Sequence, residues 1–461
     1  MTEYSQRSFW LETCGEELTP RPPLTRSIDV DVAILGGGYT GLWTAYYLLC
    51  SNPELKIAVL EKEIVGFGAS GRNGGWCSSK FPVTPSMLEQ RYGRDQARAL
   101  MLAMNGAVDE VGQFCQSEAV DAQFHKGGIL TLARGEHHVP MLRASFEAYQ
   151  RLGLETQYQL LTAEQAQERV HVTKVCGALF ASENASLHPA RLVRGLARAI
   201  ERRGATIYEK TQITGFLGDA LPKLMTAAGE VRANRAVVLA GESYLTQLPR
   251  LHRVVLPVYS LIGLTEPLSE QQWKAIGWRN RESVASCNYT VDYLTRTADG
   301  RILFGSRGAP YRIGSTISDE QEMHAPTHAH IEELVEEWFP ILKGTPFTHH
   351  WGGSVGMPRD WMPMVAFDPR TRIATARGYT GQGVSTTNLT GRILAELISG
   401  NRTELSRLPV AERQSPLWEV EPLRWLAVRY MQDAFRRIDE AGTEGKPMPL
   451  DSALAKCIGR H

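Results

Sequence analysis

Four residues early in the chain have the types and spacing needed to bind a dinucleotide. Gly36, Gly38 and Gly41 form a G-x-G-x-x-G pattern after one apolar run, and Glu61 ends the next apolar run. The first glycine allows a tight turn, the second lets the backbone approach a pyrophosphate, and the third lets a helix pack closely on a strand. A carboxylate at the position of Glu61 can accept both hydroxyls of the adenosine ribose. This group of candidates also includes the neighbours Tyr39, Thr40 and Lys62.

Two further glycine-rich segments favour FAD over NAD as the dinucleotide. The first, ASGRNGG at residues 69–75, offers Arg72 to a phosphate, and an extended FAD needs such a second loop whereas NAD does not. The second, GYTGQGV at 378–384, opens a helix whose positive end would stabilise the negative charge of a reduced flavin. The chain has no second dinucleotide motif, which indicates that the substrate itself reduces the flavin. The candidates are Ala69, Ser70, Arg72, Asn73, Gly74, Gly75, Gly381, Gln382, Gly383 and Val384.

The elements that must position these residues form an α/β pattern interrupted by strands. A strand at 29–35, a helix at 42–51 and a strand at 56–60 make one βαβ unit, and a strand-rich block follows at 256–305. We therefore predict a Rossmann-like FAD-binding domain that is split around a second, strand-rich substrate domain. The predicted ranges are 27–80, 181–245 and 352–405 for the FAD domain, 81–180 and 246–351 for the substrate domain, and 406–461 for a C-terminal helical segment. Residues 1–26 are expected to form an arm on the surface.

The composition excludes several other classes of protein. Lys plus Arg and Asp plus Glu are balanced at 50 each, which gives no electrostatic reason to expect nucleic acid or an anionic membrane as a partner. The seven cysteines show no C-x-x-C spacing, so we expect neither a disulfide framework nor a zinc site, and a cytoplasmic location. No apolar run is long enough to span a membrane. Pro326 interrupts the spacing of His324, His328 and His330, so we expect an exposed helix start there and no metal.

Three segments, DVAILGGGYTGLWTAYYL, GFGASGRNGG and GYTGQGVSTTNLTGRILAELI, resemble the D-amino-acid-oxidase-like superfamily of FAD-dependent oxidoreductases. The resemblance runs from about Phe9 to Arg429 and is greatest to the γ-glutamylputrescine-oxidase-like branch. It implies that a hydride passes from the α-carbon of a small amine to flavin N5, that the imine is hydrolysed, and that O2 or another acceptor reoxidises the flavin. It also implies that Ile213 meets the adenine and that Gly241 lies near the pyrophosphate. No cysteine lies between 288 and 456, so we expect FAD to be bound non-covalently.

The substrate-binding residues are less clearly marked in the sequence. Arg296 and Arg307 flank the segment RTADGRILFGSR and could each hold an anionic group of the substrate in a fork, or form a structural ion pair. Arg359 is a further candidate for the same task. Lys80 is a candidate for the cation that aids oxygen reduction. Aromatic residues that could wall the pocket or belong to the core are Trp76, Tyr259, Tyr289, Tyr293 and Trp351.

Several functions remain open from the sequence. The leading one is oxidation of an amine that carries an anionic group, such as an amino acid, an N-methyl amino acid or an aminophosphonate. The alternatives are a γ-glutamyl-polyamine or other cationic amine oxidase, an FAD-dependent dehydrogenase of the hydroxy-acid or glycerol-phosphate type, and a non-catalytic flavoprotein subunit.

Overall fold

The computed structural model describes residues 3–459, with the side chains of residues 3–456. The strands are β1 (Ile28–Leu35), β2 (Ile57–Leu60), β3 (Trp76–Ser78), β4 (Ile129–Arg134), β5 (Tyr158–Thr162), β6 (Val175–Ala181), β7 (Asn184–Ser186), β8 (Thr206–Tyr208), β9 (Ile213–Leu217), β10 (Lys223–Thr226), β11 (Gly229–Leu239), β12 (Leu256–Thr265), β13 (Ser283–Ser286), β14 (Asp292–Arg296), β15 (Ile302–Arg307), β16 (Phe347–Met357), β17 (Met364–Asp368) and β18 (Ile373–Arg377). The helices are α1 (Phe9–Glu12), α2 (Tyr39–Ser51), α3 (Pro85–Tyr92), α4 (Arg94–Ser117), α5 (Val139–Arg151), α6 (Ala163–Gln167), α7 (Pro189–Arg202), α8 (Glu270–Ile276), α9 (Asp319–Glu322), α10 (Ala325–Trp338), α11 (Gly383–Ser399), α12 (Leu423–Thr443) and α13 (Ser452–Gly459).

The first sheet has the strand order β17-β18-β11-β1-β2-β8, with β9 and β10 attached beside β11. The pairs from β18 to β8 are parallel, and only β17 joins this path antiparallel. All four residues of β2 (IAVL) are buried, as expected for a parallel strand covered on both faces. Helices α2, α7, α11 and α4 pack together next to this sheet. The predicted βαβ unit is therefore confirmed, and it forms the centre of a Rossmann-like domain.

The turn between β1 and α2 explains why glycine occupies its key positions. Gly36 has a φ of +105°, and a Cβ there would lie 2.7 Å from the carbonyl oxygen of Ala240. A Cβ on Gly41 would lie 2.2 Å from the carbonyl oxygen of Gly36. Because the turn is so tight, α2 begins at Tyr39, earlier than the predicted Leu42, and its first turn faces the space above the sheet.

The second sheet has the order β16-β12-β15-β14-β13-β4-β6-β5 and is antiparallel except where β4 pairs with β13. Helix α10 packs on one face of it through Ile331, Val335 and Trp338, which join a cluster with Phe304. Strand β16 runs to Met357, so the predicted domain boundary at residue 352 falls inside a strand of this sheet. The division into FAD and substrate domains otherwise stays a proposal.

Two sequence expectations about exposure were wrong. The N-terminal segment is not a surface arm, because Phe9, Trp10 and Leu11 of α1 are buried in a cluster with Trp351 of β16. His328, expected at an exposed helix start, is buried and its ring contacts the carbonyl oxygen of Glu322 at 3.3 Å. Short apolar triplets such as FWL carry no periodic signal that distinguishes an arm from a core segment.

The predicted C-terminal helical segment, 406–461, contains α12 and α13, whereas residues 408–422 form neither helix nor strand. Trp418 and Val428 of this segment pack with Leu256 and Met357 of the second sheet. In the part of the chain that the structure describes, no helix combines the length and the apolar character needed to cross a bilayer. The six cysteines whose side chains are described are all free thiols, and the expected cytoplasmic location stays a prediction.

Candidate active site

A cavity of about 490 Å³ lies between the two sheets and draws its lining from all three glycine-rich segments. One end is formed by the β1–α2 turn and the end of β2. The middle is formed by the loop before β3 and the segment after β11. The other end is formed by β14, β15 and the start of α11.

The β1–α2 turn presents the backbone that a pyrophosphate would need. Gly36, Gly38, Tyr39 and Thr40 line the cavity, whereas Gly41 is used for packing α2 on β1. The Tyr39 backbone N–H donates to Ser70 Oγ at 3.0 Å, which ties the second glycine-rich segment to the first turn of α2. The helix start therefore offers N–H groups and a partial positive charge to an anion in the cavity.

Glu61 stands at the end of β2 with its carboxylate held in a fixed orientation. Its Oε2 accepts from the Gly37 backbone N–H at 2.8 Å, and its Oε1 accepts from the Glu63 backbone N–H at 2.9 Å. Burial raises the pKa of this carboxyl group, while the two N–H groups oppose that shift. Each oxygen keeps a free lone pair for a hydroxyl. Lys62, Ile213 and Gly241 line the same end of the cavity, with Ile213 at the start of β9, the second strand after Gly204.

The second glycine-rich segment lines the cavity through Ala69, Ser70, Asn73 and Gly74. Gly75 does not line it; its φ is +79°, and a Cβ would lie 2.7 Å from the carbonyl oxygen of Leu187. The Asn73 side chain donates to the carbonyl oxygens of Ala69 and Ser70 and so closes this loop on itself.

Arg72, which the sequence offered to a phosphate, has a guanidinium group that is bound within the protein, and a role as phosphate ligand stays a prediction. It lines the cavity, but its guanidinium group donates to Glu322 at 2.5 Å, to the carbonyl oxygen of Gly352 at 3.1 Å and to the Tyr244 hydroxyl at 3.0 Å. The group is fully buried and its donors are satisfied within the protein. The sequence could not show this, because Glu322 lies 250 residues away.

The third glycine-rich segment lines the far end through Gly381, Gln382, Gly383 and Val384. Helix α11 begins at Gly383, so its positive end faces the cavity as predicted. The Thr40 hydroxyl lies 2.9 Å from the Tyr379 hydroxyl and links this segment to α2.

Glu242, which the sequence analysis did not single out, holds the same segment in place. Its carboxylate accepts from the backbone N–H groups of Gly378 at 2.9 Å, Gly356 at 3.2 Å and Tyr379 at 3.3 Å. Burial raises its pKa to about 7. The sequence could have indicated Glu242 through its position, because it directly follows the Ala240-Gly241 pair at the end of β11.

At the far end the structure brings together four of the residues considered as substrate ligands. Trp76, Lys80, Tyr293 and Arg307 all line the cavity. The Trp76 indole N–H donates to Thr295 Oγ1 at 2.9 Å, and its ring meets Tyr293 edge-on at a centroid distance of 5.4 Å. The two rings therefore form a fixed aromatic corner.

Arg307 is the cation of this corner. Its guanidinium group donates to the carbonyl oxygen of Thr380 at 2.9 Å, and no carboxylate of residues 3–456 forms an ion pair with it. Burial lowers its pKa. A partly buried guanidinium group with unused donors is suited to bind an anion that enters from solvent.

The other proposed substrate ligands lie outside the cavity. Arg296 donates to the carbonyl oxygen of Trp278 and stacks on the Trp273 ring, so it is a structural residue. The Tyr259 hydroxyl accepts from the Ser318 backbone N–H at 2.9 Å within the core. Trp351 donates to the carbonyl oxygen of Arg72, Arg359 pairs with Glu419, and Tyr289 stacks on Phe435. Sequence spacing alone did not show that Trp76 and Arg307 line the cavity and that these residues lie outside it.

Four residues of the SCNYTVD segment that line the cavity were also missed, namely Ser286, Asn288, Val291 and Asp292. Asp292 is buried and accepts from the Ser286 backbone N–H at 2.9 Å, from its hydroxyl at 2.8 Å and from the Asn288 amide at 3.0 Å. No pattern in the sequence marks an aspartate at a strand start as part of a cavity wall.

The cavity fits FAD. It combines an anion-binding helix start, a carboxylate for a ribose, and a glycine-lined wall where side chains are excluded, since a Cβ on Gly38 would lie 3.0 Å from Ser70 Oγ. The buried hydroxyl of Ser354, which also lines the cavity, has no hydrogen-bond partner and is free to meet a ligand. The model of the DAO family, described as FAD dependent oxidoreductase, matches residues 31–397. The chain belongs to this family.

Similar proteins of known name agree with membership of the DAO family. Gamma-glutamylputrescine oxidoreductase of Escherichia coli K12 is 32% identical over 87% of this chain and 90% of its own length. Sarcosine oxidase subunit beta of Rhodobacter capsulatus is 24% identical over 82% of this chain and 86% of its own length. Among solved structures, L-proline dehydrogenase from P. horikoshii has a TM-score of 0.68 with 21% identity, covering 85% of this chain and 96% of that one. The DAO fold is thus shown, and FAD is the cofactor of this FAD-dependent oxidoreductase.

Proposed function

We propose that this chain oxidises a small amine that carries an anionic group, with Arg307 as the anion anchor. The observation that carries the proposal is the partly buried Arg307 guanidinium group, which has no ion-pair partner in residues 3–456 and lines the cavity beside Gly381. A carboxylate or phosphonate placed there would satisfy the unused donors.

FAD would be held by the residues already described. The β1–α2 turn, with Gly36 and Gly38, would hold the pyrophosphate, Glu61 the ribose, and the 381–384 segment the flavin edge. When bound, FAD supplies the electron acceptor for a hydride from the carbon next to the amine. No cysteine or histidine of residues 3–456 lines the cavity, which supports non-covalent binding.

The residues of the chain would orient the substrate and keep its amine reactive. The fork of Arg307 would fix one end of the substrate, and the Trp76–Tyr293 corner would restrict the other, which favours a near-attack geometry. A fixed cation also disfavours the ammonium form of the substrate, and the free amine is the reactive form. We also propose that O2 or another oxidant is the final acceptor of the electrons taken from the substrate.

The name of one relative favours γ-glutamylputrescine as a second candidate substrate. The E. coli relative at 32% identity is named gamma-glutamylputrescine oxidoreductase, so γ-glutamylputrescine belongs in the substrate panel together with neutral, N-methylated and phosphonate amino acids. A hydroxy acid and glycerol phosphate serve as tests of the dehydrogenase alternative.

The test is anaerobic addition of each compound to the purified yellow protein, with the flavin absorbance as readout. FAD released intact on acid precipitation supports non-covalent binding, and flavin that stays with the precipitate contradicts it. Bleaching by an anionic amine supports the proposal, while bleaching only by hydroxy compounds or by purely cationic amines contradicts it.

The anchor itself is tested with two matched substitutions. Arg307→Lys keeps the charge but loses the fork, so the substrate should bind about 10–100-fold more weakly, as expected for the loss of about 1.5–3 kcal/mol. Arg296→Lys, outside the cavity, should leave the dissociation constant unchanged. Equal affinity in Arg307→Lys and wild type would show that the anchor lies elsewhere.

A further inference from the structure

Lys80 is a cavity-lining lysine without an ion-pair partner. It follows β3, the strand that carries Trp76, and its Nζ donates to Thr131 Oγ1 of β4 at 2.7 Å. No carboxylate of residues 3–456 lies within ion-pair distance of it. The hydroxyl of Thr131 fixes the position of the Lys80 amino group. Because this partner is neutral, it does not hold Lys80 in its charged form as an ion pair would.

The groups around Lys80 set how easily it loses its proton. Burial lowers its pKa to about 8, and the nearby Cys287 and Asp292 partly oppose this shift. Burial raises the pKa of Asp292, and the hydrogen bonds from Ser286 and Asn288 together with the nearby Arg134 of β4 oppose that shift. Two further charged groups line the cavity near this end: the cation Arg307, and Glu242, which is held by three backbone N–H groups. At neutral pH a fraction of the molecules therefore carries Lys80 with an uncharged amino group.

The proposed reaction requires a base at this end of the cavity. An alkylamine in water near pH 7 is mostly an ammonium ion, and its nitrogen must lose a proton before the neighbouring carbon can give up a hydride. Arg307 disfavours the ammonium ion but, as a guanidinium group, cannot accept its proton. Among the cavity-lining residues at this end, Lys80 can accept it when neutral, whereas the carboxylates of Asp292 and Glu242 are each occupied by three hydrogen bonds.

We propose that Lys80 is the base that takes the proton from the substrate ammonium ion. This inference rests on the proposed function. One N–H bond of the ammonium ion breaks, one N–H bond forms on Lys80 Nζ, and the electron pair stays on the substrate nitrogen. No oxidant is needed for this step. The role differs from that of a permanent cation, which was the expectation from the sequence.

The first experiment separates a base from a fixed charge. Anaerobic rates of flavin reduction by the best amine are measured by stopped flow from pH 6 to 10 in wild type, Lys80→Met and Lys80→Arg. Lys223→Met is the control, because Lys223 of β10 pairs with Glu230 of β11 outside the cavity. We expect the wild-type rate to rise through a limb near pH 8 that both Lys80 variants lose. Near pH 7 both should be about 100-fold slower, the lower range for general-base catalysis, and the control should match wild type.

Three outcomes have distinct meanings. If Lys80→Arg keeps the wild-type profile, Lys80 acts through its charge and the proposal is overturned. A wild-type profile in Lys80→Met overturns it as well. If no amine reduces the wild-type flavin, the proposed function itself has failed, and the second experiment still decides whether Lys80 has the proton affinity of a base.

The second experiment needs no turnover. The reactivity of Lys80 Nζ toward acetic anhydride is followed against pH by mass spectrometry of the peptides, with Lys223 as internal reference. A midpoint near pH 8 supports the proposal, and a midpoint at the ordinary value for lysine, about 10.4, overturns it. Asp292→Asn removes an anion that stabilises charged Lys80, so it should move the midpoint to lower pH, and an upward or absent shift contradicts the arrangement described here. FAD content and Tm are measured for each variant, and only folded, FAD-loaded variants are compared.

Discussion

At the scale of single residues, Glu61 shows how backbone N–H groups fix the orientation of a carboxylate in a cavity wall. Its carboxylate is oriented by the N–H groups of Gly37 and Glu63 before any ligand arrives. The sequence predicted this residue because a ribose-binding carboxylate must end the second strand of a βαβ unit. The sequence did not distinguish Arg307 from Arg296, because the two arginines differ in the partners that they meet in the folded protein. Arg307 donates to the Thr380 carbonyl oxygen beside the cavity, whereas Arg296 stacks on the Trp273 ring outside it.

Glu61→Gln should weaken FAD binding. The amide group replaces one acceptor oxygen and faces either a backbone N–H or a ribose hydroxyl, so at least one charge-assisted hydrogen bond is lost, equivalent to about 10–100-fold in the dissociation constant. Titration of the apoprotein with FAD, followed by quenching of flavin fluorescence, measures the change. Glu230→Gln, on β11 outside the cavity, is the control, and an unchanged affinity in Glu61→Gln would remove Glu61 from the site.

At the scale of elements, the βαβ unit and α11 were predictable within a few residues, because glycine turns and apolar runs mark their ends. The joint between β11, β16 and the segment before α11 was not predictable. It depends on Glu242, whose carboxylate gathers three backbone N–H groups from two distant parts of the chain. A single glutamate after a strand has no sequence pattern that reveals such partners.

Glu242→Gln should loosen this joint. The new amide N–H group must face a backbone N–H group, so one hydrogen bond is replaced by a repulsion, at a cost of about 1–3 kcal/mol in the free energy of unfolding. Urea denaturation of the apoprotein at pH 8, above the Glu242 pKa of about 7, measures the loss. The exposed Glu270→Gln on α8 should behave as wild type. A Glu242 variant as stable as this control would show that the three hydrogen bonds contribute nothing to stability.

At the scale of the whole molecule, a buried ion pair connects the second glycine-rich loop beside the cavity with helix α9 next to the second sheet. Arg72 and Glu322 are both almost inaccessible to solvent, and Arg72 also donates to the carbonyl oxygen of Gly352 in β16. The split architecture was predictable from the alternation of elements. This junction was not, since pairing across the cavity depends on how the two sheets face each other.

Glu322→Ala should destabilise the protein strongly. It leaves a buried guanidinium group without its counter-ion, which costs about 3–5 kcal/mol in the free energy of unfolding. Removing both charges in Arg72→Met/Glu322→Met should recover a large part of the loss. Denaturant unfolding of both variants is compared with that of Glu320→Ala, whose pair with Arg312 is exposed. If the double variant is as unstable as Glu322→Ala, the loss of stability does not come from the unpaired charge of Arg72.

The order of strands in the first sheet also has a consequence for biosynthesis. Strand β1 and the glycine turn leave the ribosome early, but β11 beside β1 needs β18 on its other side, and α2 needs α11 to cover it. Both late elements lie after residue 372. A nascent chain therefore carries an incomplete parallel sheet, with open edges and uncovered apolar residues, through most of translation. A message truncated before α11 would yield a polypeptide that holds the dinucleotide motif but cannot close the cavity around it.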